Sequence, residues 1–333
     1  MIDIAYCIDE NMYYELGVSI ASLLANRKGA HYHIRIVAPP NITLPLQKEY
    51  GEIMKIDPKS KLTWAERVDF AKDVKIPDNR WPINIMDRLT FPDTFQRLKK
   101  IIYIDADTIV MDSLQEAWDL DLGDNLLAAV IDNQNMPRLG GQKRIGLKGS
   151  YFISSFLVMN LELMRKERMV DKWIALMDED WKYPDQDILN ITCDGRWLKL
   201  PLRYNTSCLY EGQRGTPRGD GTEMVEHGII TWQELDESLK DPAVIHCQGW
   251  NKPWISESYT KYHHYLWWKY AKMTPFFDLM YARYIKHDLA SSAIYTYKLL
   301  GIIPFMRKKS LRRGTQYRVF GLPVMTIRKK LWI

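Results

Sequence analysis

Residues 101–107 constrain the fold more than any other part of the sequence, because they read Ile-Ile-Tyr-Ile-Asp-Ala-Asp. A short, continuous apolar run of this kind predicts a strand buried in a parallel or mixed sheet. Because side chains alternate along a strand, we expect Asp105 and Asp107 to point to the same face at its carboxyl end. Ligands of open α/β sheets bind at that end of the strands. The segment therefore predicts an α/β protein with two carboxylates at its binding edge.

Two adjacent carboxylates repel each other unless a cation lies between them. Carboxylates suit Mg²⁺ and Mn²⁺, and these ions in turn bind diphosphates, which favours an enzyme that acts on a nucleotide diphosphate. The alternative is that the two carboxylates only cap a turn. The pattern Asp-x-Asp occurs four times, and only the first pair ends an apolar run: Asp105/Asp107, Asp119/Asp121, Asp178/Asp180 and Asp185/Asp187.

Size and composition are those of a soluble globular protein. The chain has 333 residues, 46% hydrophobic and 26% charged, which is enough for one large domain and an appendage. We expect no export signal, since the N-terminus has no basic region and reads as a strand, and no segment long enough to span a bilayer. The four cysteines lie far apart, so we expect reduced core thiols rather than a disulfide or a zinc site.

Positive charge is concentrated at the C-terminus. Residues 289–333 contain ten Lys and Arg residues and no acidic residue. Because the whole chain has a net charge of +5, residues 1–288 carry a net charge of −5. Basic clusters interleaved with apolar residues suit an anionic membrane surface, where each Lys or Arg contributes about 1 kcal/mol. A nucleic-acid partner is not expected, since the body is acidic and carries no recognition motif.

Apolar runs alternate with stretches of helical periodicity, which predicts a doubly wound sheet flanked by helices. The predicted strands are 2–8, 33–37, 101–104, 126–131, 151–159, 197–202 and 243–246, and the predicted helices are 11–26, 44–54, 84–96, 169–179, 186–193 and 231–240. We expect surface loops at 133–149 and 206–229. From residue 259 the sequence becomes aromatic and basic, and we predict helices there. The chain thus divides into a nucleotide-binding domain at 1–256 and a C-terminal helical appendage at 257–333.

The first predicted strand ends at Asp9, which is followed by Glu10 and Asn11. Asp9 has two interpretations. It caps the following helix, which Asp does well by accepting a backbone N–H bond, or it accepts a hydrogen bond from a nucleotide base while Asn11 contacts base or ribose. The sequence at this position leaves both open.

A short apolar strand leads to His246, which is followed by Gly249 and Lys252. Imidazole is a good Mn²⁺ ligand beside carboxylates. Glycine lets backbone N–H groups approach a phosphate, and lysine neutralises it as a point charge. A single histidine at a strand end is more often structural, but glycine and lysine at three-residue steps after it indicate a phosphate-binding loop.

A third motif opens a predicted helix. Pro184 suits the first helical turn, and Asp185 and Asp187 favour the positive N-terminus of a helix. No comparable structural reason explains a glutamine at position 186. Its carboxamide is suited to bond a sugar or to stabilise a developing positive charge.

Over residues 2–255 these motifs, in this order, resemble glycosyltransferase family 8, retaining enzymes of the GT-A fold, and especially its bacterial lipopolysaccharide galactosyl- and glucosyltransferases. Each motif is weak alone, but the ordered set is specific. It comprises Ile8-Asp9-Glu10-Asn11, Arg88, the run 102–110 around Asp105 and Asp107, residues 118–124, Asp185-Gln186-Asp187-Ile-Leu-Asn190, and His246-x-x-Gly249-x-x-Lys252-Pro-Trp254.

The resemblance implies a UDP-hexose donor, with Mn²⁺, or alternatively Mg²⁺, held by Asp105, Asp107 and His246. It implies that Gln186, with Asp185 and Asp105, acts in catalysis, Gln186 lying nearest the reacting carbon. It also implies front-face attack, in which the leaving phosphate takes the acceptor proton. The remaining donor-binding residues that it implies are Ile8, Asp9 and Asn11 for uridine, Gly249 and Lys252 for the diphosphate, and Arg88, Ala106 and Ser154.

One segment departs from the family pattern, which is usually Phe-Asn-(Ser/Ala)-Gly after the metal strand. Here the residues are Phe152-Ile153-Ser154-Ser155. Ile153 replaces a carboxamide that bonds the donor sugar, and Ser155 replaces the glycine. Because a site built to bond a hydroxyl discriminates strongly, the change implies either a different donor or reduced activity.

The resemblance further implies a cell-surface glycan acceptor, such as lipopolysaccharide core or a lipid-linked oligosaccharide. The basic tail, from about residue 289, would hold the enzyme peripherally on the cytoplasmic face of the cell membrane. Two alternatives remain. A nucleotidyltransferase would need a glycine-rich, basic loop near residue 10, which is absent. A membrane-associated nucleotide-sugar-binding protein with weak or altered donor activity would be consistent with Ile153.

Overall fold

Strands and helices alternate along the described part of the chain, as the sequence predicts. The computed structural model describes residues 1–67, 82–210, 220–249, 252–255, 261–292, 294–299, 303–311, 314–319 and 322–328. The strands are β1 (Ile2–Cys7), β2 (Tyr32–Ala38), β3 (Lys61–Glu66), β4 (Lys100–Ile104), β5 (Thr108–Val110), β6 (Leu127–Ile131), β7 (Phe152–Asn160), β8 (Trp197–Lys199), β9 (Thr206–Ser207), β10 (Val244–His246), β11 (Ile294–Leu299), β12 (Ile303–Leu311), β13 (Gly314–Val319) and β14 (Leu322–Arg328). The α-helices are α1 (Tyr13–Ala25), α2 (Pro40–Met54), α3 (Phe91–Thr94), α4 (Gln115–Asp119), α5 (Gly141–Arg144), α6 (Leu161–Lys166), α7 (Met169–Ile174), α8 (Pro184–Thr192), α9 (Asp220–Glu226), α10 (Trp232–Lys240), α11 (Lys261–Ala271) and α12 (Phe277–Ser292), and the 3₁₀ helices are Ile83–Thr90, Asn133–Asn135 and Leu202–Asn205.

The central sheet has seven strands in the order β3-β2-β1-β4-β7-β6-β8. Strands β3, β2, β1 and β4 are parallel, β7 is antiparallel to both of its neighbours, and β8 is parallel to β6. Six strands therefore run in one direction and β7 opposes them. Strands β1, β4 and β6 are almost wholly buried, as their continuous apolar sequences require. The predicted mixed α/β sheet flanked by helices is confirmed.

Helices cover both faces of this sheet, and each face has its own hydrophobic cluster. Trp267 of α11 belongs to the cluster that includes α1, whereas Trp173 of α7 belongs to the opposite one. Helix α1 is buried over residues 15–24. Phe276, between α11 and α12, packs so closely on Gly17 that a Cβ atom there would lie 2.8 Å from the phenylalanine ring. The C-terminal helices thus share the core of the sheet.

A second, three-stranded sheet positions the site. Strand β10 lies between β5, to which it is antiparallel, and β9, to which it is parallel. The turn between β4 and β5 joins the two sheets, and α1 anchors it. Thr108 Oγ1 donates to the carbonyl of Asp105 at 2.9 Å and is bonded to Ser19 Oγ at 3.0 Å, while Ser22 Oγ accepts from the N–H of Val110 at 2.8 Å.

The structure differs from the predicted elements in several places. The predicted helix 84–96 is a 3₁₀ helix followed by the short α3, because Pro92 has no N–H to donate to the carbonyl of Arg88, as a continuous α-helix would require. Strands β3 and β5 were not predicted, and α9 lies in a predicted loop. All four cysteines are buried thiols, as predicted. The predicted domain boundary near residue 256 lies outside the described residues.

The C-terminal appendage is only partly helical. The prediction is correct for α11 and α12, but it is wrong beyond them, where β11 to β14 form an antiparallel sheet in sequence order. The run Ile-Tyr-Thr-Tyr at 294–297 consists of strand-forming residues, and this propensity prevails over the helical pattern expected from the apolar clusters. Among the described helices, none combines the length and the apolar character needed to cross a membrane.

Candidate active site

Three predicted metal ligands converge beside the turn between β4 and β5. Asp105 and Asp107 lie in that turn, and His246 ends β10, opposite Thr108 in the sheet. His246 Nε2 lies 3.4 Å from Asp107 Oδ1 and 4.0 Å from Asp105 Oδ2. One ligand atom from each residue lies within 4.8 Å of the others. The predicted convergence is confirmed, although a turn, not strand alternation, brings the carboxylates together.

The two oxygens of Asp105 have different surroundings. Oδ1 accepts hydrogen bonds from Arg88 Nη2 at 3.0 Å and from the Tyr103 hydroxyl at 2.5 Å. Tyr103 lies two residues earlier, in β4, and its ring stacks under the Arg88 guanidinium at 4.1 Å. Oδ2 is the oxygen that faces His246. Asp105 is therefore held by one oxygen and presents the other to the candidate metal position.

Asp107 has a cationic partner within the chain. Lys252 Nζ lies 2.5 Å from Asp107 Oδ2 and donates to the carbonyl of Cys247 at 2.7 Å. Burial by itself would raise the pKa of Asp107, but the Lys252 ammonium group beside it outweighs burial and holds that pKa below its usual range. Asp107 is thus an anion in the folded protein, and a carboxylate pair with an imidazole is a donor set that fits a divalent cation.

The loop after β10 needs glycine for its backbone. Gly249 has a φ of +87°, in the left-handed region, while a Cβ atom there would find nothing closer than 3.8 Å. The requirement is therefore conformational and not one of space. Lys252 and His246 both contact Asp107, so these two residues meet at one local site.

Arg88 bridges the turn to the start of α8. Its Nη1 lies 3.2 Å from Asp185 Oδ2 and donates to the carbonyl of Ser154 at 2.8 Å. Ser154 Oγ donates to the same Asp185 oxygen at 2.8 Å. Burial raises the pKa of Asp185 although Arg88 opposes it. Together with Asp105, these predicted donor-binding residues form one connected network.

Gln186 is held at both ends of its carboxamide. Oε1 accepts from the N–H of Ser154 at 2.9 Å, and Nε2 donates to the Tyr151 hydroxyl at 3.2 Å. The Tyr151 hydroxyl in turn donates to Asp187, which is fully buried and also receives two hydrogen bonds from Arg144, at 2.7 and 2.8 Å. Asp187 therefore supports Gln186 through Tyr151 and does not face the metal position.

The end of β1 forms a local turn. Asp9 accepts hydrogen bonds from the N–H of Asn11 at 2.9 Å and from its Nδ2 at 3.3 Å. Helix α1 begins only at Tyr13, and its N-cap residue Met12 makes no side-chain cap bond. The helix-capping interpretation of Asp9 is thus wrong. Ile8 is fully buried, and Asn11 remains exposed.

Several residues around the site were not singled out in the sequence. Tyr151 and Arg144 support Gln186, Tyr103 holds Asp105, and Asn205 contacts His246 Nδ1 at 3.0 Å. The fifth of these residues is Asp132, which directly follows β6. Burial raises the pKa of its carboxyl group to about 7. Of these five residues, only Asp132 could have been found from the sequence, because it directly follows an apolar run as Asp105 does.

The comparisons with known proteins agree with one another. The family model described as glycosyl transferase family 8 matches residues 3–258. A lipopolysaccharide 1,2-glucosyltransferase of Escherichia coli is 30% identical over 263 residues, covering 76% of this chain and 73% of that protein. General stress protein A of Bacillus subtilis (strain 168) is 29% identical over 190 residues, covering 54% of this chain and 63% of that protein.

Solved structures share the fold. The galactosyltransferase LgtC in complex with donor and acceptor sugar analogues superposes with a TM-score of 0.68 at 22% identity, covering 82% of this chain and 96% of that one. The WbbM bifunctional glycosyltransferase superposes with a TM-score of 0.71 at 23% identity, covering 85% of this chain and 52% of that one. At this level of identity, the likeness establishes the architecture.

Proposed function

The chain belongs to glycosyltransferase family 8, and we propose that it is a metal-dependent, retaining hexosyltransferase that takes glucose or galactose from a UDP-sugar. The observation that carries the proposal is the convergence of Asp105, Asp107 and His246 within 4.8 Å. Lys252, which suits a diphosphate, and Arg88, which suits the sugar end of the donor, both contact this cluster.

Asp105, Asp107 and His246 are proposed to hold Mn²⁺, or alternatively Mg²⁺. When bound, this ion supplies Lewis-acid stabilisation of the negative charge on the diphosphate. Asp105 is prepared for this role because Arg88 and Tyr103 occupy its other oxygen. In the proposed complex Lys252 turns from Asp107 to the phosphates, beside the backbone of Gly249.

The remaining roles follow from charge. Departure of UDP leaves positive charge on the anomeric carbon, and the carboxylate of Asp185 and the carboxamide oxygen of Gln186 are suited to stabilise it. Arg88 and Ser154 fix Asp185, and Tyr151 fixes Gln186, so neither group must reorganise during the reaction. We propose front-face attack, in which the acceptor hydroxyl gives its proton to the leaving β-phosphate. Ile8, Asp9 and Asn11 are proposed to bind uridine, with Ala106 beside the donor.

The proposed acceptor is a cell-surface glycan, such as lipopolysaccharide core or a lipid-linked oligosaccharide, because the curated relatives include lipopolysaccharide glucosyltransferases. The enzyme is proposed to work at the cytoplasmic face of the membrane, held by the basic residues that follow residue 289. Cosedimentation with anionic vesicles tests this location: deletion of residues 289–333 should abolish binding and largely spare UDP binding. Undiminished vesicle binding by the truncated protein would contradict it.

A second candidate is a nucleotide-sugar-binding protein with weak or altered donor activity. Ile153 favours it, because its side chain is buried in an apolar cluster where the family pattern places a carboxamide. An assay of UDP release from UDP-glucose and UDP-galactose, with Mn²⁺ and candidate acceptors, distinguishes this candidate from the hexosyltransferase. Metal-dependent release of UDP supports the transferase. Binding of UDP-sugars without release, under all these conditions, would favour the second candidate.

A further inference from the structure

Two buried polar side chains stand directly behind His246. Asn205 is 2% exposed and Ser155 is 1% exposed. The carboxamide oxygen of Asn205 lies 3.0 Å from His246 Nδ1 and accepts a hydrogen bond from Ser155 Oγ at 2.7 Å. We propose that Asn205, held by Ser155, fixes His246 in the tautomer that presents Nε2 to the metal. This inference rests on the proposed metal-dependent function.

The tautomer follows from hydrogen-bond chemistry. A carboxamide oxygen can only accept, so the ring nitrogen facing it must carry the proton. A neutral imidazole has a single N–H group, and its other nitrogen then has a free lone pair. In His246 that nitrogen is Nε2, on the side of Asp105 and Asp107. The nitrogen suited to coordinate is thus the one that faces the two carboxylates.

The local fold explains why Asn205 can do this. It ends the 3₁₀ helix Leu202–Asn205 immediately before β9, which runs parallel to β10 and pairs with it beside His246. The carboxamide is therefore held by Ser155 while it contacts the imidazole. Such partners of metal-ligating histidines set ring orientation and ligand strength.

Ser155 connects two metal ligands at once. Its carbonyl accepts the N–H of Asp105 at 2.8 Å, and its hydroxyl reaches His246 through Asn205. The family pattern has glycine at this position, which would supply the carbonyl but not the hydroxyl. In this chain the serine thus adds a positioning contact to the metal site. Ser155 and Asn205 are positioning residues, since neither is proposed to touch donor or cation.

The test is the affinity of the full-length protein for Mn²⁺ alone, measured by electron paramagnetic resonance without nucleotide. We expect Asn205→Leu to weaken binding by about 10- to 100-fold and Ser155→Gly by about tenfold. Asn205→Asp should bind at least as well as wild type, because a carboxylate oxygen still accepts from Nδ1. Ser207→Ala is the matched control: it removes a buried hydroxyl beside His246 that bonds Gln248 instead, and affinity should stay within about twofold.

A structural role alone would not change the tautomer, so a second measurement reports it. Nitrogen NMR of the ¹⁵N-histidine-labelled, Mg²⁺-loaded protein should show a protonated Nδ1 for His246 in wild type and a mixture in Asn205→Leu. Wild-type Mn²⁺ affinity and tautomer in that variant would overturn the inference. If Asn205→Leu does not fold, the Mn²⁺ affinity and the His246 tautomer of Ser155→Gly test the inference instead. Equal Mn²⁺ binding by wild type and Asp107→Ala would instead overturn the proposed metal site, and the inference with it.

Discussion

Lys252 Nζ bonds the Asp107 carboxylate across 145 residues of sequence. The bond joins the loop after β10 to the turn before β5. It places the ammonium group, which we assign to the donor diphosphate, on a carboxylate that we assign to the cation. Lys252 therefore neutralises part of the negative charge of Asp107, which would otherwise attract a cation more strongly.

Lys252→Met should separate metal binding from nucleotide binding. The variant should bind Mn²⁺ alone more tightly, by roughly three- to tenfold, because Asp107 loses a competing cation. It should bind UDP in the presence of Mn²⁺ about tenfold more weakly, because the phosphates lose a charged donor. Calorimetry measures both affinities. Lys240→Met, which removes an exposed lysine, is the control; a parallel change in both affinities for Lys252→Met would contradict the assignment.

Tyr151→Phe tests the support of Gln186. The variant leaves Gln186 Nε2 without this acceptor and removes one hydrogen bond to Asp187. We expect kcat to fall about tenfold, with the donor KM nearly unchanged and stability reduced by about 1 kcal/mol. Steady-state kinetics with the preferred donor provide the measurement. Tyr204→Phe, which removes a hydroxyl bonded to Glu116, should leave kcat unaltered. An unchanged kcat in Tyr151→Phe would disprove the role.

Ile153→Asn restores the carboxamide of the family pattern at a buried position, 4% exposed. Because hydrogen bonds to sugar hydroxyls discriminate strongly, the ratio of kcat/KM values for two UDP-hexoses should change by at least about tenfold. Burying the amide should cost about 1–3 kcal/mol in the donor-free protein. A panel of UDP-sugars gives the ratios, and Ile153→Leu, which keeps the site apolar, should preserve them. If wild type and Ile153→Asn show identical ratios of kcat/KM values, Ile153 does not contribute to donor selection.

Glu15 should make stability depend on pH. Its side chain is 7% exposed, and its Oε2 has no hydrogen-bond partner among the described residues. Burial raises the pKa of Glu15 from 4.5 to about 7. The folded state therefore keeps a proton that the unfolded state releases above its lower pKa, so this group favours folding less as the pH rises from 4.5 to 7.

Glu15→Gln lacks that titration. It should be more stable than wild type by roughly 3 kcal/mol at pH 8, and the difference should shrink to under about 1 kcal/mol at pH 5. Urea unfolding at the two pH values measures it. Glu162→Gln, at an exposed position, should show no such dependence. A stability difference for Glu15→Gln that is equal at both pH values would contradict the buried, protonated state.

The sequence was informative where one local pattern determines structure. The apolar run before Asp105 predicts β4 correctly, and the spacing from His246 to Lys252 predicts two residues that do meet at Asp107. Both features depend on neighbours in the chain, so a single segment contains the necessary information.

The supporting residues could not be found in this way. Asn205 acquires its role from His246, 41 residues away, and from Ser155, 50 residues away. An isolated asparagine before a short strand carries no signal for such a contact. The wrong prediction after α12 has a different cause: strand-forming residues such as those at 294–297 prevail over the expected helical pattern, and the resulting strands pair with their neighbours.

The most direct test of the account is Mn²⁺-dependent UDP binding by Asp107→Ala, measured by titration calorimetry beside wild type and Asp119→Ala. Asp119 belongs to another Asp-x-Asp pair and lies at the end of α4, away from the metal cluster. We predict that wild type and Asp119→Ala bind UDP only when Mn²⁺ is present, and that Asp107→Ala neither binds it nor turns over donor. Metal-dependent UDP binding of wild-type strength in Asp107→Ala would contradict the central claim.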